Sequence, residues 1–391
     1  MDPYLVIARK YRPQAFAEVA GQEVVARTLA NAIASSRVAH AYLFTGPRGV
    51  GKTSMARILA KALCCETGPT ATPCGTCQQC RMITDSSHPD VAEIDAARYN
   101  GVDAIRDLSD AASFSPTLAR MRIYILDEVH MLSTAAWNAL LKLLEEPPAH
   151  VRFIFATTEV DKVLPTVLSR CQRFDFRAID NEAIVKRLRE VCAGEKKLLS
   201  DAILARIARA AGGGMRDAQT LLDQLIAVSG DTVDEEDLNL LLGAARGEDL
   251  TALAEALIAG KSADALERLD RVLAAGVSAG TLTDQLVDHA RLLLLIQACG
   301  VDSAPVRRLG TASAAAEAQA KAASPEKLMR LCQILISSQQ ALRRGVDPRL
   351  QLELACVRIA HLGQVADLDA LARRLERIEN AAPGAAAAHP R

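Results

Sequence analysis

The sequence predicts an α/β domain built on a parallel sheet, followed by two helical regions. Three observations lead to this fold class. Up to about residue 179, strand-like apolar runs alternate with helical patterns, as in a parallel sheet covered by helices. A glycine-rich loop joins one of these strands to a helix. After residue 180, leucine and alanine recur at three- and four-residue spacing, which predicts helices alone.

Length and composition limit the class of protein. A chain of 391 residues predicts two or three domains. The net charge of −1 gives no overall attraction for nucleic acid, so any basic surface must be local.

The start, "MDPYLVIARKYRPQAF", lacks the pattern of a signal peptide. "RLLLLIQACG" (291–300) is too short to span a bilayer and predicts a buried helix. We therefore expect an intracellular protein, in which clustered cysteines favour metal binding.

The predicted strands and helical regions follow in order along the chain. Five runs predict strands: "AYLFTG" (41–46), "VAEID" (91–95), "RIYILDE" (122–128), "VRFIFATT" (151–158) and "QRFDFR" (172–177). Residues 1–179 form the first predicted domain. Residues 180–242 predict a small helical domain with breaks at 211–217 and 229–237, and residues 243–368 predict a second helical domain with a looser loop within 313–327. The end, 369–391, is low in complexity and is expected to be disordered.

The segment "TGPRGVGKTS" (45–54) matches the phosphate-binding pattern G-x-x-x-x-G-K-[ST]. It follows a strand and opens a helix, which is the setting that the pattern requires. Glycines allow backbone N–H groups to point at phosphate oxygens, Lys52 reaches the terminal phosphates, and the Thr53 hydroxyl binds Mg²⁺. The predicted nucleotide contacts in this loop are Gly46, Gly49, Val50, Gly51, Lys52, Thr53 and Ser54.

Acidic and hydroxyl residues follow two other predicted strands. Asp127 and Glu128 end an apolar run, where adjacent carboxylates are costly unless a cation or a catalytic task retains them. We expect Asp127 to hold Mg²⁺ and Glu128 to position or activate water. Thr157 or Thr158 ends the next strand and either contacts the γ-phosphate or has a turn role. His130 is interpreted as a hydrogen-bonding structural residue.

Arginine can stabilise the charge that develops on a transferred phosphoryl group. Arg170, in "LPTVLSRCQRF", precedes a strand, and Arg216, in "GGGMRDAQTLLDQL", opens a helix after a glycine run. Each is a candidate for this role. From the residues alone, a surface salt bridge is the alternative for both.

From residue 4 to about 360 the chain resembles the gamma/tau subunits of bacterial DNA polymerase III, AAA+ ATPases that drive the sliding-clamp loader. The resemblance lies in "ARKYRP", "GQE", "HAYLFTGPRGVGKTS", "CETGPTATPCGTCQQC", "DEVHMLS", "NALLKLLEEPP", "ATTE", "LSRCQRF" and "MRDA". It implies an AAA+ domain with an inserted zinc module, a small helical lid domain and an all-α collar. It also implies a cytoplasmic, nucleoid-associated protein that does not bind membranes.

The resemblance assigns roles to further residues. Arg170 is the finger that reaches the ATP of a neighbouring subunit, supported by Ser169 and Cys171. Arg216 is the lid sensor of the γ-phosphate in its own subunit, and Thr158 is the sensor at the strand end. The residues that hold adenine are Tyr11, Arg12, Pro13 and Val19, although "YRP" could instead only anchor the N-terminus. For DNA, Arg98 in "DAARYNGVDAIRDL" is the best phosphate-binding candidate.

The implied partners are those of a clamp loader: the delta and delta-prime subunits, further copies of the chain, the beta sliding clamp and primer–template DNA. The family belongs to a DNA-directed DNA polymerase holoenzyme, but no acidic pair for a polymerase centre is evident in this sequence.

Since the longer family members continue past the collar, we expect this chain to be the short gamma-like form or a truncation. Two alternatives stay open: a non-hydrolysing scaffold subunit, or another AAA+ motor such as a branch-migration helicase.

Half of the ten cysteines lie in "CCETGPTATPCGTCQQC" (64–80). The overlapping C-x₂-C units of Cys74, Cys77 and Cys80 are typical of a zinc site. A tetrahedral site needs a fourth ligand, which the residues alone leave between Cys64 and Cys65. The family resemblance implies Cys65, with Cys64 completing a helix face. Four thiolates leave no open position, so a structural zinc is expected. Redox sensing is the alternative, and His88 is not expected to be a ligand.

Overall fold

A computed structural model describes residues 5–229, 233–309 and 313–362. The predicted tail at 369–391 lies outside the described residues. The chain divides into two compact units, and the division falls between Glu235 and Glu236. Each unit is described by itself below.

The first unit contains a five-stranded sheet in which every pairing is parallel. Its strands are β1 (Ala41–Thr45), β2 (Val91–Asp95), β3 (Arg122–Asp127), β4 (Val151–Thr157) and β5 (Gln172–Asp175), in the spatial order β2-β3-β4-β1-β5. All five predicted strands are confirmed. Four of them end one or two residues earlier than predicted, because the chain leaves the extended conformation at the carboxyl edge. Gly46 has a φ of 144° and Glu128 a φ of 50°.

The register aligns the carboxyl end of β2 with that of β3, and the carboxyl end of β1 with that of β4. Asp95 pairs with Asp127, and Thr45 pairs with Thr157. Carboxylate and hydroxyl side chains from strands far apart in the sequence therefore lie along one edge of the sheet. This is the edge at which ligands bind in open α/β sheets.

Alternation along β1 divides the apolar core between the two faces of the sheet. Tyr42 and Phe44 pack in one buried cluster with helical residues such as Leu59, whereas Leu43 packs in the other cluster with residues such as Trp137. Full burial of a large apolar side chain contributes about 1.5–3 kcal/mol. Both faces are covered, so the sheet is a rigid support for the residues at its edge.

The helices of the first unit surround the sheet and continue beyond it. They are α1 (Ile7–Lys10), α2 (Glu23–Ala34), α3 (Lys52–Cys64), α4 (Gln78–Thr84), α5 (Val102–Ala112), α6 (Thr134–Glu145), α7 (Pro165–Leu168), α8 (Asn181–Gly194), α9 (Asp201–Ala210) and α10 (Met215–Ser229). Three short 3₁₀ helices span Phe16–Glu18, Val129–Met131 and Val160–Lys162. The predicted break at 211–217 is confirmed, since α10 begins at Met215 after a turn with three glycines.

In the described residues of the second unit, all regular secondary structure is helical. Its helices are α11 (Glu235–Leu242, which starts at the division), α12 (Gly247–Ile258), α13 (Ser262–Ala274), α14 (Ala279–Cys299), α15 (Ala304–Leu309), α16 (Ala314–Ala322), α17 (Pro325–Arg343) and α18 (Pro348–Ala360). The buried helix predicted at 291–300 is confirmed by α14, in which Leu293 and Ile296 are core residues. The loop expected within 313–327 is wrong for most of that range, because α16 and α17 occupy it and alanine favours helix.

Among the helices of the described ranges, none combines the length and apolarity that a bilayer span requires.

Candidate nucleotide site and cysteine cluster

A cavity of about 680 Å³ lies at the carboxyl edge of the sheet. It is bounded by the N-terminal segment, the phosphate-binding loop, the ends of β2 and β3, and the start of α10. Its lining includes Tyr11, Arg12, Pro13, Val19, Gly49, Val50, Gly51, Lys52, Thr53, Ser54, Asp127, Glu128, Arg216 and Gln219. Most residues that the sequence predicts for nucleotide and magnesium binding therefore share one cavity.

The phosphate-binding loop has a backbone that only glycine adopts readily. Gly46 has a φ of 144°, and a Cβ atom there would lie 2.3 Å from the carbonyl oxygen of Phe176. Gly49 and Gly51 also have positive φ angles, of 78° and 101°. The loop leads directly into α3, whose first turn has N–H groups without intrahelical partners. This arrangement is suited to binding phosphate oxygens.

Lys52, the first residue of α3, is buried at the end of the phosphate-binding loop. Its ammonium group donates hydrogen bonds to the carbonyl oxygens of Gly46 (2.8 Å) and Pro47 (2.7 Å). Burial lowers the pKa of Lys52, and the nearby carboxylates of Glu128 and Asp127 oppose that shift. An anionic ligand in the cavity would favour the charged form further.

Thr53 and Asp127, the residues predicted to bind magnesium, are in contact. The Thr53 hydroxyl donates a hydrogen bond of 2.7 Å to Oδ2 of Asp127. A hydroxyl and a carboxylate at this separation suit Mg²⁺, which prefers oxygen ligands and keeps several waters. The residues present therefore fit the ion that the sequence predicts.

Glu128 is held by the end of the neighbouring strand. Its Oε2 atom accepts hydrogen bonds from the backbone N–H of Thr158 (3.2 Å) and from the Thr158 hydroxyl (3.1 Å). Glu128 itself has a left-handed backbone, with φ of 50° and ψ of 46°. For a residue other than glycine this conformation costs about 1–3 kcal/mol, so local structure must maintain it.

His130 links Glu128 to the residues that follow β4. Its Nδ1 atom lies 3.0 Å from the Thr157 hydroxyl and 3.4 Å from Oε2 of Glu128, and its Nε2 atom lies 3.3 Å from Oε1 of Glu159. The Thr157 hydroxyl also accepts the Glu159 N–H at 3.0 Å. His130 is a hydrogen-bonding residue, as interpreted from the sequence.

The start of α10 contacts the phosphate-binding loop. The backbone N–H of Arg216 donates to the carbonyl oxygen of Gly49 at 3.3 Å. The Arg216 side chain is exposed and lines the cavity. Its position can place a cation against the phosphate groups of a nucleotide bound in the same chain.

The N-terminal segment is attached to α8 beside the cavity. Lys10 forms an ion pair of 2.7 Å with Glu195. Arg187 donates to the carbonyl oxygen of Tyr11 at 3.2 Å. Hydrogen bonding, first from Lys10 and then from Tyr11, lowers the pKa of Glu195. These contacts anchor the N-terminal segment to α8, and they leave Tyr11 in the lining of the cavity.

Arg170 is absent from the lining of the cavity. Its guanidinium donates to Oε1 of Glu145 (2.8 Å) and to the carbonyl oxygen of Thr166 (2.7 Å), and lies 3.4 Å from the Ser169 hydroxyl. Cys171 is half-buried. Arg170 therefore lies outside the nucleotide cavity of its own chain, and its action on the ATP of another chain stays a prediction.

Four cysteine sulfurs meet between α3 and α4. The Sγ atoms of Cys65, Cys74, Cys77 and Cys80 all lie within 4.8 Å of one another. The backbone N–H of Cys77 hydrogen-bonds to Cys74 and lowers the pKa of that thiol to about 6. Burial opposes ionisation of Cys65, but hydrogen bonds from Cys74 and Thr67 lower its pKa. Burial raises the pKa of Cys80. Four sulfurs at this spacing fit a tetrahedral zinc ion.

Cys64 differs from its neighbour. It belongs to the apolar core, and burial raises its pKa to about 12. His88 lies outside the sulfur cluster: Nε2 contacts the side chain of Gln79, and Nδ1 accepts the Asp90 N–H at 3.0 Å. The structure thus separates the cysteine that the sequence left ambiguous, and places His88 in a buried hydrogen-bond network.

The DNA candidate Arg98 is exposed after β2, with its guanidinium 5.7 Å from the centre of the Tyr99 ring. Its contact with DNA phosphate stays a prediction. Arg106 pairs with Asp103 at 3.3 Å.

Sequence reasoning assigned no role to Glu145, Glu159 or Gln219. Glu145 and Glu159 belong to the segments "NALLKLLEEPP" and "ATTE", but only the fold brings them beside Arg170 and His130. Gln219 lines the cavity. The helical spacing of Gln219 from Arg216 was the available signal for one of them, since residues three apart share a helix face.

Comparisons with known proteins divide the chain into three matched ranges. Residues 21–180 match a family described as DNA polymerase III, delta subunit. Residues 183–231 match the DNA polymerase III clamp loader subunit, ATPase lid domain. Residues 233–375 match DNA polymerase III subunits gamma and tau domain III. The domain boundaries predicted at 179/180 and 242/243 stay predictions.

Individual relatives cover nearly the whole chain. The chain is 42% identical to DNA polymerase III subunit tau of Bacillus subtilis over 96% of its own length and 68% of the relative. It is 40% identical to the gamma/tau subunit of Mycobacterium bovis, over 96% of its length and 66% of that protein. It is 34% identical to the gamma subunit of Buchnera aphidicola, over 91% of its length and 98% of that protein.

Among solved structures, a RuvB Holliday junction branch migration motor of Thermotoga maritima matches with a TM-score of 0.44 and 18% identity, covering 63% of this chain and 79% of that chain. We base no conclusion on a similarity of this size.

Proposed function

We propose, from the fact that the chain belongs to the family of DNA polymerase III gamma and tau subunits, that it uses ATP to place a ring-shaped sliding clamp on primed DNA. By family it is an AAA+ ATPase of the clamp loader. The observation that carries the proposal is the shared cavity, in which Lys52, Thr53, Asp127 and Arg216 line one space.

The residues of the cavity have separate roles in the proposed reaction. Lys52 and the N–H groups at the start of α3 bind the phosphates of ATP, and Thr53 and Asp127 hold Mg²⁺, which supplies charge neutralisation on the phosphates when bound. Glu128 orients the attacking water and accepts its proton. Arg216 contacts the γ-phosphate from the lid, so that the position of the lid reports the bound nucleotide. Thr158 positions Glu128 through two hydrogen bonds.

Hydrolysis depends on assembly in this proposal. Arg170 lies outside the cavity of its own chain and acts on the ATP of a neighbouring copy. An arginine supplied in this way increases the rate by on the order of 10³–10⁵ in well-studied nucleotide hydrolases. An isolated chain lacks that charge, and hydrolysis is therefore slow until subunits assemble.

The four cysteines hold a structural zinc ion. Cys65, Cys74 and Cys77 lie between α3 and α4, and Cys80 lies in α4. The closed set of four thiolates leaves no position for substrate. The segment between α3 and α4 is too small for an apolar core of its own, so metal binding supplies its folding free energy. This role excludes the cluster from the hydrolytic reaction.

The partners in the proposal are delta and delta-prime subunits, further copies of the chain, the beta clamp and primer–template DNA. The decisive experiment measures ATP hydrolysis by the chain assembled with delta and delta-prime subunits, with and without clamp and primed DNA. We expect clamp and primed DNA to increase the rate, and Lys52→Ala to abolish both hydrolysis and clamp loading. A rate that clamp and DNA do not change would refute the proposal. Unaltered loading by Lys52→Ala would instead favour the non-hydrolysing scaffold.

A further inference from the structure

Gln219 is a polar residue of α10 that lines the nucleotide cavity and is 4% exposed. Among the residues that the structure describes, none forms a hydrogen bond with its carboxamide. The nitrogen and oxygen of this carboxamide are not among the fully buried atoms without a partner, so they are open to the cavity. A molecule bound in the cavity can therefore exchange hydrogen bonds with Gln219.

The position of Gln219 along α10 identifies the part of the nucleotide that it faces. One turn earlier, the N–H of Arg216 binds the phosphate-binding loop at Gly49. One turn later, the Asp223 carboxylate accepts the N–H of Ile7 in the N-terminal segment at 3.3 Å. Gln219 lies between these two attachments. The neighbouring residues of the N-terminal segment, Ala8 and Tyr11, line the same cavity. In the proposed ATP complex we place Gln219 beside the adenosine, because Tyr11 is among the residues that the family resemblance assigns to adenine.

We propose that Gln219 is a specificity-determining residue that recognises the edge of the adenine base; this inference rests on the proposed ATP-binding function. A carboxamide presents one acceptor and one donor side by side. Adenine presents the complementary pair, a 6-amino donor next to a ring-nitrogen acceptor, and glutamine is a common partner of that edge. Guanine has an oxygen at position 6, so the same carboxamide orientation would place two acceptors against each other. Gln219 therefore favours ATP over GTP.

A purely structural role makes a different prediction. If Gln219 only filled space between α10 and the cavity, an apolar residue of similar size would replace it without changing the choice of base. Gln219→Leu removes the donor and the acceptor and keeps most of the volume. Gln224 provides a matched control, because it is an exposed glutamine on the same helix.

The experiment measures equilibrium binding of ATP, GTP and purine riboside 5′-triphosphate, which lacks the 6-amino group, to the full chain. We expect Gln219→Leu to weaken ATP binding by roughly 10-fold, the scale of a good base-edge contact, and to remove most of the preference for ATP over the other two nucleotides. Gln224→Leu should retain the wild-type preference. A thermal melt of each variant checks folding, and Gln219→Met serves in place of Gln219→Leu if the latter is unfolded at the assay temperature.

The outcomes separate this inference from the proposed function. If the wild-type chain binds no ATP, the proposed function itself is wrong. If the wild type binds ATP but the variant at position 219 loses affinity equally for all three nucleotides, or loses none, Gln219 does not read the base.

Discussion

The hydroxyl of Thr53 donates a hydrogen bond of 2.7 Å to the carboxylate of Asp127, across a separation of 74 residues. This contact joins the first turn of α3 to the end of β3. It places the two predicted magnesium ligands together, beside the phosphate-binding loop. Glu128 and Arg216 line the same cavity as this pair.

Replacement of Asp127 by asparagine tests the magnesium site. The amide keeps the size of the side chain but removes the charge that holds a divalent cation. We expect hydrolysis to fall to background and the dependence of nucleotide affinity on Mg²⁺ concentration to disappear. Titration of nucleotide binding with and without Mg²⁺ measures both effects. A variant that still bound ATP more tightly with Mg²⁺ would show that the ion lies elsewhere.

Variants of His130 test whether it positions Glu128. Because His130 is absent from the cavity lining, we expect His130→Ala to lower kcat while leaving KM for ATP unchanged. Asparagine can place a polar atom near the position of Nδ1, so His130→Asn should recover part of the rate. His150→Asn is the control, since His150 contacts the carbonyl oxygens of Ala112 and Phe114 away from the site. Steady-state kinetics that showed a raised KM with normal kcat would contradict this role.

Arg170 and Glu145 test the arginine that acts between subunits. We expect Arg170→Ala to reduce hydrolysis by the assembled loader by on the order of 10³-fold, with ATP binding by the isolated chain unchanged. Glu145→Gln loosens the guanidinium and should give a smaller loss. Neither change should alter the melting temperature greatly, because an exposed ion pair contributes about 0–1 kcal/mol.

Glu146→Gln is the matched control for Glu145→Gln, since Glu146 is the exposed neighbour in the same "LEEPP" segment. Rates of the assembled loader should be normal for Glu146→Gln. Equal losses in the two variants would mean that charge near α6, and not the contact with Arg170, controls the rate.

The cysteine cluster is tested by metal content. Cys65→Ser and Cys77→Ser should each lose bound zinc and lower the melting temperature, whereas Cys64→Ser should retain one zinc ion per chain. ATP binding should survive in all three, because no cysteine lines the cavity. Mass spectrometry of the metal content measures how much zinc each variant binds. If Cys64→Ser lost zinc and Cys65→Ser kept it, the ligand assignment would be reversed.

We expect the ionised Asp90 carboxylate to stabilise the folded protein, and we expect this stabilisation to be lost in acid. Its carboxylate accepts the N–H groups of Thr117, Leu118 and Ala119 at 2.7–2.9 Å, and lies 3.4 Å from Arg122. Burial alone would raise its pKa, but these donors together lower it below the usual value. A lowered pKa in the folded state stabilises the fold above the unfolded-state pKa, and this contribution is lost as pH falls through the folded-state pKa.

Asp90→Asn removes that contribution. We expect a loss of about 1.5–3 kcal/mol at neutral pH, the range for hydrogen bonds to a charged group, and a smaller loss near pH 3. Denaturant unfolding at both pH values measures the difference. An equal effect of the substitution at the two pH values would show that the charge on Asp90 is not what stabilises the segment after α5.

Much of the fold and of the site could be predicted because the signals are local. The loop at 45–54 contains its glycines, lysine and threonine in one stretch, directly after an apolar strand. The cysteines lie within seventeen residues, so their spacing alone indicated a metal site. The apolar runs indicated every strand of the sheet, although the strand ends came earlier than the runs, because φ angles at the carboxyl edge depend on neighbouring strands. The helix α16 was missed since its small, weakly amphipathic sequence resembles a loop.

The sequence by itself determined the α/β class, the phosphate-binding loop, the acidic pair after β3 and the cysteine cluster, because each depends on neighbours in the chain and on backbone preferences. Only the tertiary structure decided which side chains meet across long separations. It places Glu145 against Arg170 and Thr158 against Glu128. It also separates Cys64 from Cys65, and buries Gln219 beside the nucleotide cavity. These contacts depend on strand order and helix packing, which place distant residues at one edge of the sheet without leaving a local pattern in the sequence.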